Sequence, residues 1–153
     1  MSTEPPDRPR GLLINVWIAG ELVSVLLDRN LVEEGVHTDF YGTLSVIGVW
    51  GPLTPSELAE KTGTALTTVS DRLRRMVADG DVERVAHPGD GRSHLVQLTP
   101  EGDARWRRGW PALQRTLEQI AANLERPVDE VQDVLVELID ALNKAARPAT
   151  PVP

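Results

Sequence analysis

The chain has 153 residues, of which 41% are hydrophobic, enough to build one domain around one core. It contains no cysteine, which excludes disulfides, thiolate zinc sites and redox sensing by the protein's own thiols. Its net charge of −7 is unevenly distributed. Positions 61–108 hold nine basic and seven acidic residues, whereas the remainder holds seven basic and sixteen acidic ones. Any binding to nucleic acid would therefore depend on a local basic face in the middle of the chain.

The sequence contains no motif that indicates an enzyme. The three histidines, His37, His87 and His94, lie far apart and lack metal-ligand spacing. Neither a glycine-rich phosphate loop nor a G-x-S-x-G nucleophile motif occurs. We therefore expect no catalytic residues, no metal and no cofactor.

The first ten residues, MSTEPPDRPR, carry acids and prolines and predict a disordered tail instead of a signal peptide. No apolar run is long enough to span a bilayer, so we expect a cytoplasmic protein with no membrane partner. Positions 12–34 then predict a helix that is apolar on most sides. Such a helix must be covered on most sides, either by a partner subunit or as the central core helix of a monomer.

The next segments predict a helix-turn-helix. Gly35 can end the first helix, and Thr38 can cap a second helix that runs to Gly51. The sequence Thr54-Pro55-Ser56-Glu57 forms a capping box with proline in the first turn, which predicts a short helix closed by Gly63. Thr64 can start another helix that runs over 64–79 and is closed by Gly80. Two short helices joined by a tight turn with glycine are typical of this motif.

The second helix of this pair is amphipathic. Leu66, Val69, Leu73 and Met76 share one face, and the polar residues Thr67, Thr68, Asp71, Arg72 and Arg75 lie largely on the others. Hydroxyls near the start and arginines further along suit a helix in the DNA major groove, because a guanidinium can bind guanine through two hydrogen bonds. The alternative is a solvated helix with an Asp71–Arg75 ion pair.

A β-hairpin is predicted directly after this helix, with strands over 82–86 and 93–98 and a turn over 87–91. Arg92 follows Asp90 by two residues, so the carboxylate can orient the guanidinium toward a narrow, electronegative minor groove. The alternative is an exposed turn with an ion pair worth at most about 1 kcal/mol.

The chain continues with two long helices. Thr99 and Pro100 can start one that runs through Leu124 and bends at Pro111. Arg105, Arg107 and Arg108 near its start either face DNA phosphates or form a solvated surface. Pro127 opens the last helix, which has apolar residues at helical spacing. Residues 147–153 are rich in proline and predict a disordered tail.

The motif Asp90-Gly91-Arg92, followed by Leu98-Thr99-Pro100-Glu101-Gly102, resembles the wing motif of the MarR family of transcriptional regulators. The preceding stretch Gly80-Asp81-Val82-Glu83-Arg84 is also similar to that family, although Asp81 replaces the usual apolar residue. The order of elements fits as well, and the resemblance covers positions 12–146.

The resemblance implies a mainly α fold with a small β-hairpin wing, in a single domain over 11–146. A winged helix-turn-helix at about 38–99 would lie between dimerisation helices at about 12–34 and 100–146. The homodimer would bind a pseudo-palindromic operator in double-stranded DNA, usually as a repressor. The expected DNA contacts are Thr64, Thr67, Thr68, Asp71, Arg72, Arg75, Asp90 and Arg92.

The resemblance also implies release of DNA by a small molecule. Trp17, His37, Phe40, Tyr41, Trp50 and Trp110 lie on segments that border the family's ligand space, although most of them are expected in the core. Trp17, His37 and Tyr41 are the candidate contacts to an aromatic or phenolic effector. A different class of function stays open, namely a winged-helix module that binds protein and shows no salt-dependent DNA binding.

Overall fold

The structure, a computed structural model, describes residues 11–36 and 40–146, apart from the side chains of Asp90 and Arg92. The expected tails, 1–10 and 147–153, and the candidate residues Thr38 and His37 lie outside the described residues. The described part contains helices and one antiparallel hairpin: α1 Leu12–Glu33, α2 Tyr41–Trp50, α3 Pro55–Thr62, α4 Leu66–Ala78, β1 Val82–His87, β2 Asp90–Leu98, α5 Pro100–Ala121 and α6 Val128–Ala146.

Local sequence signals set several of these boundaries. The Thr54 hydroxyl accepts the Glu57 backbone N–H at 3.2 Å, and the Thr54 N–H donates to the Glu57 carboxylate at 2.8 Å, which confirms the predicted capping box of α3. Gly63 ends α3 in the left-handed region, with φ of 61°. Thr99 caps α5 by accepting the Gly102 N–H at 3.0 Å. The capping residues of α3 and α5 thus bind backbone N–H groups that would otherwise lack partners at the helix ends.

The core lies where the helix-turn-helix meets the hairpin. It is built from one or a few buried residues of each element except α6, among them Ile47, Leu58, Val69, Leu73, Met76, Val82, Val96 and Ala112. Leu53, just before α3, exchanges both backbone hydrogen bonds with Val96 of β2, at 3.1 and 2.8 Å. The hairpin is thus tied to the helix-turn-helix by backbone pairing as well as by apolar contact.

Helices α2 and α5 interlock through two aromatic rings that lie over glycines. A Cβ on Gly48 would lie 2.6 Å from the ring of Trp106, and a Cβ on Gly109 would lie within 3 Å of the ring of Tyr41. The Tyr41 hydroxyl also donates to the backbone oxygen of Trp106 at 2.7 Å. Neither glycine tolerates a side chain without displacing a ring, so the two helices approach closely in one relative position.

Helix α1 attaches to α5 through polar contacts near its C-terminal end. The buried Asn30 amide donates to the Thr116 hydroxyl at 2.8 Å and to the Gln119 side-chain oxygen at 3.0 Å. Beside them, the Arg115 guanidinium binds the carboxylates of Glu33 and Glu34 at 2.8 and 2.5 Å. These directional bonds fix the register of α1 on α5.

The rest of α1 and all of α6 leave apolar side chains exposed. Leu13 is 72% exposed and Leu22 65%, and no residue of α6 is buried. The core-helix alternative for α1 is therefore wrong, because the protomer covers only the last turns of this helix. Within the described residues, no helix is both long and apolar enough to cross a membrane.

Some predicted boundaries are wrong. Helix α2 begins at Tyr41 with Phe40 as its N-cap, later than predicted. Helix α5 ends at Ala121, and Leu124 lies beyond it. Strand β2 begins at Asp90, which pairs with His87, so the hairpin turn is shorter than predicted. For the hairpin, pairing between the two strands decides the boundary, which the local pattern does not contain.

Candidate nucleic-acid interface

Helix α4 is the second helix of the helix-turn-helix, and its start differs from the prediction. The N-cap is Ala65, while Thr64 lies in the turn, where its hydroxyl donates to the Thr62 carbonyl at 3.4 Å. Thr64 therefore does not cap α4. Val69, Leu73 and Met76 are buried as predicted, but Leu66 is 48% exposed and does not belong to the buried face. The first turn of α4 is thereby open to solvent.

The surface of α4 opposite the core brings together most of the polar residues predicted to contact DNA. Thr67, Thr68 and Asp71 are exposed, and Arg72 is half-buried. The Asp71 carboxylate pairs with Arg74 at 3.0 Å, so the Asp71–Arg75 pair of the alternative interpretation is wrong. Arg74 is exposed beside the predicted contacts, and its i,i+3 spacing from Asp71 is the sequence signal for this ion pair.

Arg75 lies on the flank of α4 that faces α2 and α5. Its guanidinium carbon is 6.0 Å from the centroid of the Phe40 ring, a cation–π contact. Phe40 itself has φ of 69°, a left-handed conformation that is unusual for a bulky residue. Arg75 and Phe40 line a cavity of about 460 Å³ between α2, α4 and α5, which Asp81 and Arg105 also line.

The hairpin that follows α4 has the form of a wing. Its register runs from Val82 opposite Leu98 to Ala86 opposite His94 and then shifts, so that His87 pairs with Asp90. Residues 91–93 are therefore extra residues on β2, which form an irregularity near the tip. Arg92 lies within this irregularity. Because its side chain and that of Asp90 are outside the described residues, the orienting contact between them stays a prediction.

The three arginines near the start of α5 have different surroundings. The Arg105 guanidinium lies 2.5 Å from the carboxylate of Asp81, at the junction of α4 and β1. Arg107 pairs with Asp103 at 2.7 Å and lies 5.7 Å from the centroid of the Trp106 ring. Arg108 is exposed. Arg105 is thus paired with a buried carboxylate and only partly exposed, whereas Arg107 and Arg108 are exposed on the surface.

The structure does not bring the candidate effector residues together. Tyr41 is 3% exposed, its hydroxyl is donated to Trp106, and burial raises its pKa to about 12. Trp17 is 66% exposed on α1 and does not line the cavity that Tyr41 lines. His37 lies outside the described residues. Tyr41 is therefore a core residue whose hydroxyl already has a partner, although it also lines the cavity, and its contact with a ligand stays a prediction.

No group of three His, Asp or Glu side chains within residues 11–36 and 40–146 could hold a metal ion. What the surface does offer is one helix with exposed hydroxyls and arginines, positioned by a helix-turn-helix and followed by a hairpin. This arrangement defines a winged helix-turn-helix protein.

Comparison with known proteins shows similarity to one family. The MarR family model matches residues 41–94. The transcriptional repressor YetL of Bacillus subtilis is 32% identical over 90 residues, which are 59% of this chain and 52% of YetL. The multiple antibiotic resistance protein MarR of Salmonella typhimurium is 31% identical over 96 residues, 63% of this chain and 65% of that protein. The alignments thus span half to two thirds of these relatives' length. Over the matched residues, the chain is similar to regulators of the MarR family.

Solved structures agree in fold over nearly the whole chain. The M. tuberculosis transcriptional regulator MosR in complex with DNA has a TM-score of 0.76 at 25% identity, covering 90% of this chain and 100% of that one. A mutant of E. coli MarR complexed with operator DNA has a TM-score of 0.71 at 26% identity, covering 86% and 93%. The mainly α architecture with a hairpin wing, predicted from the sequence, is confirmed.

Proposed function

We propose that this protein is a sequence-specific transcriptional regulator, acting as a repressor, that binds double-stranded DNA as a homodimer. The observation that carries the proposal is the exposed face of α4, where Thr67, Thr68 and Arg74 lie together on a helix followed by the wing. Hydroxyls and guanidinium groups on such a helix can contact phosphates and base edges in the major groove. The structures of MosR and E. coli MarR with DNA support this assignment by similarity.

The exposed apolar faces of α1 and α6 support the proposed homodimer. Val134 and Ile139 on α6 are 59% and 54% exposed, and a second copy that covered them and α1 would remove a large apolar area from water. Leu138→Asp introduces a charge on this face of α6, where Leu138 is half-buried. We expect this variant to yield monomers or aggregates in sedimentation experiments, and a stable dimer would refute the placement.

We further propose that the cavity between α2, α4 and α5 makes DNA binding responsive to a small molecule. It is about 460 Å³ in volume and is lined by Phe40, Arg75 and Arg105 among others. A ligand against Arg75 would contact α4 directly, so it could favour one orientation of this helix over another. Screening aromatic and phenolic compounds for a change in DNA affinity tests this point, and Arg75→Ala should abolish any response.

The experiment that tests the main proposal is a fluorescence anisotropy titration with DNA from upstream of the protein's own gene, in competition with random DNA. We expect one short pseudo-palindrome to bind preferentially. Arg92→Ala should weaken this binding by about 1–3 kcal/mol without lowering the thermal midpoint. Arg126→Ala, an exposed arginine in the α5–α6 connection, is the matched control and should bind as the wild type does.

Equal binding of Arg92→Ala and wild type would refute the role of the wing. Binding of the wild type that shows no preference over random DNA, in this assay and in a genome-wide selection of bound fragments, would refute the regulator proposal. It would instead favour a winged-helix module that binds another protein.

A further inference from the structure

Residue 81 lies where the second helix of the helix-turn-helix passes into the wing, and it is an aspartate that is only 8% exposed. Its N–H donates to the Met76 carbonyl at 2.9 Å, which closes the C-terminal end of α4. The next residue, Val82, begins β1. Any movement of Asp81 therefore displaces α4 and the wing together.

The start of α5 binds and packs against the backbone at this junction. The Thr99 N–H donates to the Asp81 carbonyl at 3.0 Å, and the Thr99 hydroxyl donates to the Gly80 carbonyl at 2.6 Å. Gly102 packs so closely that a Cβ there would overlap the Asp81 carbonyl oxygen. The end of α4 and the first turn of α5 are thus in direct contact.

The side chains of Arg105 and Asp81 add an ion pair to these backbone contacts. Arg105 Nη1 lies 2.5 Å from the Asp81 carboxylate, and the arginine side chain is 41% exposed while the aspartate side chain is 11% exposed. The other charged groups near this carboxylate are Asp79 at the end of α4, which opposes its ionisation, and Arg75, which lines the same cavity. A carboxylate in this position needs a cation to offset its loss of water.

Such a pair contributes little net stability, because desolvation of the carboxylate cancels much of the attraction. Its distinctive property is geometric, since an ion pair with hydrogen bonds favours one orientation whereas an apolar contact tolerates several. Here the ion pair favours one orientation of α4 and the wing relative to α5. Helix α5 runs from this junction to the surface that it shares with α1. The angle between α4 and α5 therefore determines the position of α4 relative to the rest of the protomer.

We propose that Asp81 and Arg105 are positioning residues for DNA recognition, which fix the angle between the α4–wing unit and α5. This inference rests on the proposed function as a dimeric DNA-binding regulator. In such a dimer the angle determines the separation of the two α4 helices, and hence the half-site spacing that the protein accepts.

The test compares wild type with Asp81→Leu, Arg105→Met and the double variant. Asp103→Leu, Arg107→Met and their double variant form the matched control, because this pair is exposed and lies within α5 alone. Each protein is titrated with a panel of operators whose half-site separation differs by single base pairs. Thermal midpoints are measured in parallel.

We expect Asp81→Leu and the Asp81→Leu/Arg105→Met double variant to keep the wild-type thermal midpoint or exceed it. Their affinity for the best operator should fall about tenfold, a typical size for coupling within one ion pair. The wild type should prefer one spacing, whereas these variants should accept neighbouring spacings nearly as well. Arg105→Lys, which keeps the cation, should recover most of the preference, and the control variants should match the wild type.

An unchanged spacing preference in Asp81→Leu would overturn the inference while leaving the proposed function intact. A loss of affinity that only parallels a lower thermal midpoint would also overturn it, since that outcome indicates a structural role. Failure of the wild type to prefer any operator would instead refute the proposed function, and the positioning role with it.

Discussion

Replacing Gly48 by alanine tests the close packing of α2 on α5. The added Cβ would lie 2.6 to 2.8 Å from three ring carbons of Trp106, whereas carbon atoms in contact prefer about 3.5–4.0 Å. The ring would have to withdraw by about 1 Å, and overpacking of this kind costs about 1–3 kcal/mol. Alanine also stabilises a helix by up to about 1 kcal/mol relative to glycine, which partly offsets the loss.

Gly42→Ala provides the control that separates these two effects. Gly42 lies in the same helix, and a Cβ there meets nothing within 4 Å, so only the gain in helix propensity applies. Urea denaturation at one fixed protein concentration should show Gly48→Ala to be less stable than Gly42→Ala by about 1–3 kcal/mol. Equal free energies of unfolding for the two variants would show that the Trp106 ring yields freely, and would refute the interlocked packing of α2 and α5.

Three further predictions concern hydrogen bonds and ionisation. Asn30→Ala leaves the buried Thr116 hydroxyl and its neighbour Gln119 without their donor, so urea denaturation should show a loss of about 1–3 kcal/mol. Thr54→Ala removes the cap of α3 and should cost about 1 kcal/mol, whereas the exposed Ser56→Ala should change little. Burial raises the pKa of Asp81 above its ordinary 3.8 although Arg105 opposes this, so unfolding releases a proton between the two values. The free energy of unfolding should therefore fall as pH rises through that window, and Asp81→Asn should lack this decline; identical pH profiles would contradict it.

The sequence predicts the elements well where the signal is local. The capping box at Thr54 and Glu57 and the glycine stop at Gly63 depend on residues three to nine positions apart, and both occur as predicted. The buried face of α4 is predicted from its period except for Leu66, which lies in the first turn before the helix reaches the core. Local patterns therefore determine the type and order of the elements.

Contacts between distant residues could not be predicted in the same way. The Asn30–Thr116 bond and the Trp106–Gly48 contact join different helices, and no spacing rule relates such positions. The position of Tyr41 near a helix start predicts a contact with a ligand, whereas the contact of its ring with Gly109 follows only from the fold. Asp81 departs from the family pattern, yet the position of its partner Arg105 follows only from the fold.

The measurement that tests the central claim most directly is the salt dependence of binding to the selected operator and to random DNA of equal length. A dimer that contacts six to ten phosphates should lose roughly 10³- to 10⁵-fold in affinity between 50 and 200 mM salt. The account predicts this steep loss, together with a preference for the operator at both salt concentrations. Weak binding with a shallow salt dependence and no preference for the operator would contradict it.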